Sequence, residues 1–190
     1  MVSQAVFQSV RFLGDMIRRQ QLSPVELTEL FLERLESIGP RYNAVVTITR
    51  NRARKQAQQA EQEILSGHYR GPLHGIPYGT KDLLATSGDI PTTWGATPFR
   101  NQMFNYDATV VQRLEDAGAI LIGKLAMVEL AGGMGYKQPN ASFTGPGITP
   151  WNRATWSGGS SSGSGTSVAA GLVPFAIGSE TWGSILSPAN

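Results

Sequence analysis

The stretch DATVVQRLEDAGAILIG, residues 107–123, contains a short helix signal followed by a continuous apolar run. Asp107 is placed to cap a helix over 108–116, and Gly118 is placed to end it. The run over 119–122 has no polar residue, which is typical of a strand buried on both faces. A helix that leads directly into a buried strand indicates α/β layering, so we expect an α/β fold.

Further helices and strands are predicted on both sides of this stretch. Ser23 and Glu26 form a capping box around Pro24, which favours the first position of a helix. Apolar spacing predicts helices over 5–22, 24–38 and 51–65, and short apolar runs predict strands near 44–49, 119–123 and 173–178. We expect the three helices to pack on one side of a mixed sheet that contains the strands.

The composition excludes several classes of function. With no cysteine and two histidines in 190 residues, the chain can form no disulfide or thiolate metal site, and we expect no metal and no cofactor. The net charge of +2 is too balanced for a nucleic-acid-binding protein. No apolar run approaches the roughly 20 residues of a membrane span, and the early arginines do not suit a signal peptide. We therefore expect a cytoplasmic protein with neither a direct nucleic-acid partner nor a membrane partner.

Two familiar motifs fit the spacing but lack a necessary residue. Residues 118–124 match a phosphate-binding P-loop, but Leu125 occupies the position of the metal-binding Ser or Thr. Residues 159–163 read G-S-S-S-G, the pattern of a nucleophile elbow, but both histidines, His68 and His74, lie upstream of it. With both histidines excluded as the base, lysine is the side chain left to deprotonate a serine. Lys81 is followed after Asp82 by two leucines, and an apolar setting would lower the pKa of its amine.

The glycine- and serine-rich stretch WSGGSSSGSGTS, residues 156–167, has the composition of a flexible linker. It is followed by an apolar segment and by only about twenty residues, which leaves no second domain for it to connect. A functional turn is therefore the better interpretation. The segment GPLHGIPYGTKD, residues 71–82, has the bland alternative of a surface loop with solvated charges.

Three segments together resemble the amidase signature family of serine hydrolases. GIPYGTKD over 75–82 resembles the lysine motif of the family, GGSS over 158–161 its bridging-serine motif, and GSETWGSI over 178–185 its nucleophile motif. The difference of 24 in sequence number between Ser160 and Ser184 matches the spacing of the family. The resemblance runs from about residue 5 to the end, and it implies a twisted central sheet flanked by helices.

The resemblance implies a hydrolase that cleaves an amide C–N bond of a small molecule through an acyl-enzyme intermediate. Ser184 would attack the carbonyl, Ser160 would pass protons, and Lys81 would be the base and later the acid. An oxyanion hole would come from the backbone N–H groups of Thr181, Trp182, Gly183 and Ser184. The resemblance also implies a cis peptide between Gly159 and Ser160, and it admits a homodimer.

The chain departs from the family pattern at several positions. Trp182 replaces the first glycine of a Gly-Gly pair, and it would cost about 1–2 kcal/mol if that position required a positive φ. Glu180 replaces the usual Asp, and Leu186 replaces an arginine that would be a partner for Glu180. Ser157 and Ser162 stand where Pro and Gly are common.

Two other functions remain open at this point. One is the amidase-type component, called A, of a glutamine-dependent aminoacyl-tRNA amidotransferase, although Leu186 counts against it. The other is a non-catalytic homologue whose oxyanion hole is blocked by Trp182. Since family domains are much longer, residues 1–190 are interpreted as the N-terminal part of a single amidase domain, truncated after the nucleophile motif, and inactive alone.

Overall fold

The computed structural model describes residues 2–132 and 142–190, in which a four-stranded sheet forms the centre. The strands are β1 (Val45–Ile48), β2 (Pro77–Lys81), β3 (Ile120–Leu125) and β4 (Phe175–Ile177). Their order across the sheet is β1-β3-β2-β4. β3 is antiparallel to β1 and parallel to β2, and β2 is parallel to β4. The mixed sheet confirms the predicted α/β fold.

Six helices surround the sheet in the described ranges. They are α1 (Val10–Arg18), α2 (Pro24–Ser37), α3 (Arg50–Leu65), α4 (Thr109–Asp116), α5 (Ser162–Ala169) and α6 (Leu186–Ala189). The Ser23 hydroxyl caps α2 as predicted, because it accepts from the N–H groups of Val25 and Glu26 at 3.1 Å each. The helix predicted over 5–22 is shorter than expected, since Gln20 adopts a left-handed φ of 57° that ends it. None of the described helices is long and apolar enough to cross a membrane.

The main core lies between the first three helices and one face of β3. Ile120 and Ile122, two positions apart on the strand, both point to this face. They join apolar side chains of α1, α2 and α3 in one buried cluster. Leu121 points the other way, into a smaller cluster with Val111 of α4. The three helices thus share one side of the sheet, as predicted.

The prediction that Asp107 caps the helix before β3 was wrong. The N-cap residue of α4 is Ala108, which makes no side-chain cap bond. The Asp107 carboxylate instead accepts from the Arg52 guanidinium at 2.7 and 3.0 Å and from the Ser87 N–H at 2.7 Å. Charge-assisted bonds to a guanidinium outweigh a single cap bond to an amide.

The segments 156–167 and 71–82 have the compositions of a linker and a loop, but the structure has a helix in the first and a strand in the second. Within the second segment, residues 77–81 form β2, a strand buried along its whole length. Gly79 is required there, because a Cβ atom would lie 2.6 Å from Leu125 Cδ1 of the neighbouring strand. The second half of the serine-rich stretch forms α5, whose side chains are largely buried.

The close approach of α5 to the end of β3 gives a test of the fold. A Cβ atom on Gly163 would lie 2.4 Å from both Ala126 N and Ala44 O, which are main-chain atoms that cannot turn aside. Gly163→Ala should therefore destabilise the protein by about 2 kcal/mol or more in chemical denaturation. Val168→Ala, at a partly exposed position of the same helix, is the control. Equal denaturation midpoints for the two variants would contradict this packing.

Candidate active site

The Lys81 side chain lies at the carboxyl end of β2 and is fully buried. Its Nζ donates to Ser160 Oγ at 2.7 Å, to Ser179 Oγ at 2.9 Å and to Ser179 O at 3.2 Å. These partners come from the turn before α5 and from the turn after β4, so all three matching segments meet at the amine. The alternative of a solvated charge in a surface loop is wrong.

Burial controls the ionisation of this amine. Loss of hydration lowers the pKa of Lys81 to about 8, because the buried ammonium is disfavoured relative to the neutral amine. The hydrogen-bond partners of Nζ are hydroxyl and carbonyl oxygens, which carry no full charge to offset this effect. The neutral amine is therefore more populated near neutral pH than it is in a solvated lysine.

Ser160 is held by the backbone around it. The Gly159–Ser160 peptide is cis, as the family resemblance implies. The Ser160 carbonyl accepts from the N–H of Val128 at 3.1 Å, just beyond β3. Its side chain is fully buried, so the hydroxyl meets Lys81 away from solvent. Gly159 has no room for a side chain, because a Cβ atom would lie 2.7 Å from Val128 Cγ2.

Ser184 is attached to this cluster through the main chain. Its carbonyl accepts from the N–H of Ser161 at 3.1 Å. Ser161 Oγ in turn donates to Ser179 O at 3.2 Å and accepts from Ser179 N at 3.3 Å. Across the described ranges, no side-chain hydrogen bond joins Ser184 to Ser160 or to Lys81. The structure thus brings Lys81 and Ser160 into contact and places Ser184 beside the residue that follows Ser160.

The turn that contains Ser184 does not require a positive φ at Trp182. Gly183 carries the positive φ of this turn, at 89°, whereas Trp182 is not among the residues with a positive φ. The conditional cost of 1–2 kcal/mol therefore does not arise. The Trp182 side chain is 88% exposed, so it does not fill the space between Lys81 and Ser160.

Glu180 has partners despite the replacement of the arginine by Leu186. Its carboxylate accepts from the N–H groups of Ile185 at 2.7 Å and Leu186 at 2.8 Å, where α6 begins. Hydrogen bonds from the N–H groups of Leu186 and Ile185 hold the pKa of Glu180 below its usual value. Leu186 removes one plausible partner of Glu180, and free N–H groups at the start of a helix bind the carboxylate in its place.

Three residues of the site region were not predicted to be functional from the sequence. Ser179 supplies two of the three oxygens around the Lys81 amine. Ser179 is the second residue of the nucleophile motif over 178–185, and this place in the motif is the signal that could have indicated its role. Asp82 and Lys124 form a fully buried ion pair directly behind Lys81, with 3.2 Å between Oδ1 and Nζ. Their partnership depends on the register of β2 against β3, which sequence spacing does not reveal.

Comparisons with known proteins show the family of the chain. The family model described as Amidase matches residues 26–190. The chain is 45% identical over 178 residues to the putative amidase AmiD of Mycobacterium tuberculosis (strain ATCC 25618 / H37Rv), covering 94% of this chain and 36% of that protein. It is 43% identical over 173 residues to a glutamyl-tRNA(Gln) amidotransferase subunit of Methylococcus capsulatus, covering 91% of this chain and 35% of that protein.

A solved structure shares the fold. The native peptide amidase from Stenotrophomonas maltophilia superposes with a TM-score of 0.86 at 33% identity, over 97% of this chain and 38% of that one. The chain thus spans little more than a third of the length of these relatives. The family match extends over most of the chain and includes all three motif segments, so the chain belongs to the amidase family, the amidase signature enzymes.

Proposed function

We propose that the protein hydrolyses an amide C–N bond of a small molecule, with Ser184 as nucleophile, Ser160 as proton relay and Lys81 as base. One observation carries the proposal: a buried lysine amine with a lowered pKa lies 2.7 Å from a buried serine hydroxyl. An unpaired cation in such a place is costly, so the arrangement favours a chemical role over a structural one. Perturbed pKa values of this kind are concentrated at active sites.

The three contacts of the amine are donor bonds that an ammonium can make, and the neutral form can keep two of them. A neutral amine has two N–H donors and one lone pair, whereas an ammonium has three donors. The Ser179 carbonyl can only accept and its hydroxyl lies at 2.9 Å, so these two take the two N–H groups. In the neutral form the bond to Ser160 would reverse, so that the Ser160 hydroxyl donates its proton toward the lone pair of the amine.

The proposed reaction runs in two halves. Ser184 Oγ bonds to the carbonyl carbon as the π electrons of the C=O bond move to oxygen and form an oxyanion. The Ser184 proton passes to Ser160 Oγ, and the Ser160 proton passes to the Lys81 amine. When the C–N bond breaks, the leaving nitrogen takes a proton from Ser160, which Lys81 replaces. Water then attacks the acyl ester along the same relay and releases the acid and free Ser184. No net proton is gained or lost by the protein.

The oxyanion is proposed to bind the backbone N–H groups of Thr181, Trp182, Gly183 and Ser184. Gly183, with its φ of 89°, lets successive N–H groups turn toward one point. The loss of one such donor costs about 3 kcal/mol of transition-state stabilisation in other acyl-transfer enzymes. The side chain of Trp182 points to solvent, so the substitution at this position leaves its N–H available.

Release of ammonia or amine from small amides tests the activity. The full-length protein, purified without partners, should release ammonia from simple primary amides, and a serine-reactive fluorophosphonate should block the release. A protein that hydrolyses no amide and is not labelled would instead be the non-catalytic homologue.

A second candidate rests on the relatives named as amidotransferase subunits, at 43% identity for the Methylococcus protein. In this case glutamine would be the ammonia donor, and release would depend on partner subunits. Leu186, in place of an arginine, removes a cation suited to the carboxylate of glutamine. We therefore expect no preference for glutamine over an uncharged amide of similar size.

Ser179 offers a graded test of the proposed base. Ser179→Ala removes the hydroxyl that accepts from Lys81 at 2.9 Å, and it should slow fluorophosphonate labelling about 10-fold. Ser179→Thr keeps the hydroxyl and should label at nearly the wild-type rate. Equal rates for Ser179→Ala and wild type would show that this contact does not orient the amine.

A further inference from the structure

The buried ion pair of Asp82 and Lys124 lies next to the proposed base, on the other face of the sheet. Asp82 follows Lys81 in the chain, and neither side chain of the pair is exposed to solvent. The 3.2 Å contact between Oδ1 and Nζ is an ion pair whose angles are not those of a hydrogen bond. Taking two charges out of water is expensive, so a pair in this place calls for an explanation beyond stability.

The pair is enclosed by one loop. Lys124 Nζ donates to Thr92 Oγ1 at 2.6 Å, to Thr86 Oγ1 at 3.1 Å and to Pro91 O at 3.3 Å. Asp82 Oδ2 accepts from the Thr93 N–H at 3.1 Å and from the Thr93 hydroxyl. All of these hydrogen-bond partners are uncharged, so the charge in contact with Lys124 is that of Asp82.

The pair and the proposed base lie on opposite faces of the sheet. In the register of β2 against β3, Thr80 lies opposite Lys124 and Lys81 lies opposite Leu125. Side chains alternate along a strand, so Lys81 points away from the face that carries Lys124. The pair therefore does not touch the Lys81 amine, and any effect of its charges on the amine acts through space, from the residue next to Lys81 in the chain.

We propose that Lys124 is a positioning residue that neutralises Asp82, so that no net charge lies behind Lys81 and its amine keeps the neutral form that the reaction needs. This inference rests on the proposed function of Lys81. Without Lys124, the Asp82 carboxylate would favour the ammonium form of Lys81. Without Asp82, the positive charge of Lys124 would disfavour the ammonium form of Lys81.

Asp107 and Arg52 are the other charged groups that act on Lys124, and their effects on its pKa oppose each other. Arg52 binds Asp107 at 2.7 Å and also binds Glu115. Asp107 holds the same loop as the pair, through the N–H of Ser87 at 2.7 Å. Asp107→Asn therefore makes the same chemical change as Asp82→Asn in a neighbouring network, and it is the matched control.

The test is the pH dependence of fluorophosphonate labelling at Ser184 in the full-length protein. The midpoint of the rise in rate should move up by about 0.5–1 pH unit in Lys124→Met and down by a similar amount in Asp82→Asn. The double variant, which removes both charges, should return to within about 0.3 of the wild-type midpoint. Asp107→Asn should leave the midpoint unchanged.

Opposite shifts that cancel in the double variant are a signature that a purely structural pair cannot give. Lower rates at an unchanged midpoint in both single variants would overturn the inference while leaving Lys81 as the base. If Lys124→Met does not fold, the midpoints of Asp82→Asn and of the double variant test the inference. The double variant should fold because it leaves no unpaired buried charge. A wild-type protein without a rising limb would refute the proposed function, and the inference with it.

Discussion

Replacement of Ser184 by alanine should abolish covalent labelling by a fluorophosphonate and reduce amide hydrolysis about 10⁶-fold. The substitution removes the oxygen that forms the acyl ester, so the covalent route has no substitute. The rate that remains would come from binding and from the oxyanion donors, which the change leaves in place. The measurement is the intact mass of the full-length protein after labelling, with peptide mapping of the adduct.

Ser187→Ala is the matched control for this variant. Ser187 lies three residues further on, where its hydroxyl is close to Gly158 rather than to Lys81. This variant should be labelled at the wild-type rate. An adduct that persists in Ser184→Ala, or that maps to Ser160 or Ser161 in the wild type, would contradict the assignment of the nucleophile.

Lys81→Ala and Ser160→Ala should each slow labelling at pH 8 by about 10³-fold or more, because each interrupts the transfer of the proton from Ser184. Neither change removes the nucleophile, so both variants should still be labelled at Ser184 after long incubation. Residues that act as one unit are not additive. The double variant should therefore be little slower than the slower of the two single variants.

A double variant whose loss equals the product of the two single losses would contradict a shared relay. It would show that Lys81 and Ser160 act on the reaction independently, despite the 2.7 Å between Nζ and Oγ. Stability should be compared in parallel, because Lys81→Ala also removes a buried side chain. Lys81→Met fills most of that volume and should show the same loss of rate.

The sequence predicted the elements whose apolar pattern is local. α2 and α3 appear within two residues of their predicted bounds, and β3 begins within the apolar run 119–122 and extends three residues beyond it, to Leu125. β2 was missed because Pro77 and Gly79 are typical of a turn, while the burial that makes it a strand comes from β3 and β4 on both sides. α5 was missed for a similar reason. Its small residues suit close packing, since Gly163 lies against main-chain atoms just beyond β3.

The site was predicted at the level of motifs rather than of contacts. Lys81, Ser160 and Ser184 came from the family resemblance, and the structure brings Lys81 and Ser160 together as the relay requires. The role of Ser179 and the partnership of Asp82 with Lys124 depend on strand register and loop closure. The sequence showed that Glu180 loses an arginine as a partner, but the N–H groups that bind it instead depend on where α6 begins.

The central claim is that a neutral Lys81 amine activates Ser184, and the most direct test is the pH dependence of labelling at Ser184 in wild type and in Lys81→Ala. The pKa of Lys81 is lowered to about 8, and the base works only when unprotonated, so the wild-type rate should rise from about pH 6 and level off above about pH 9. In Lys81→Ala this rise should be absent and the rate low throughout. A rise that survives in Lys81→Ala, or a wild-type rate that is flat from about pH 6 to about pH 9, would contradict the account.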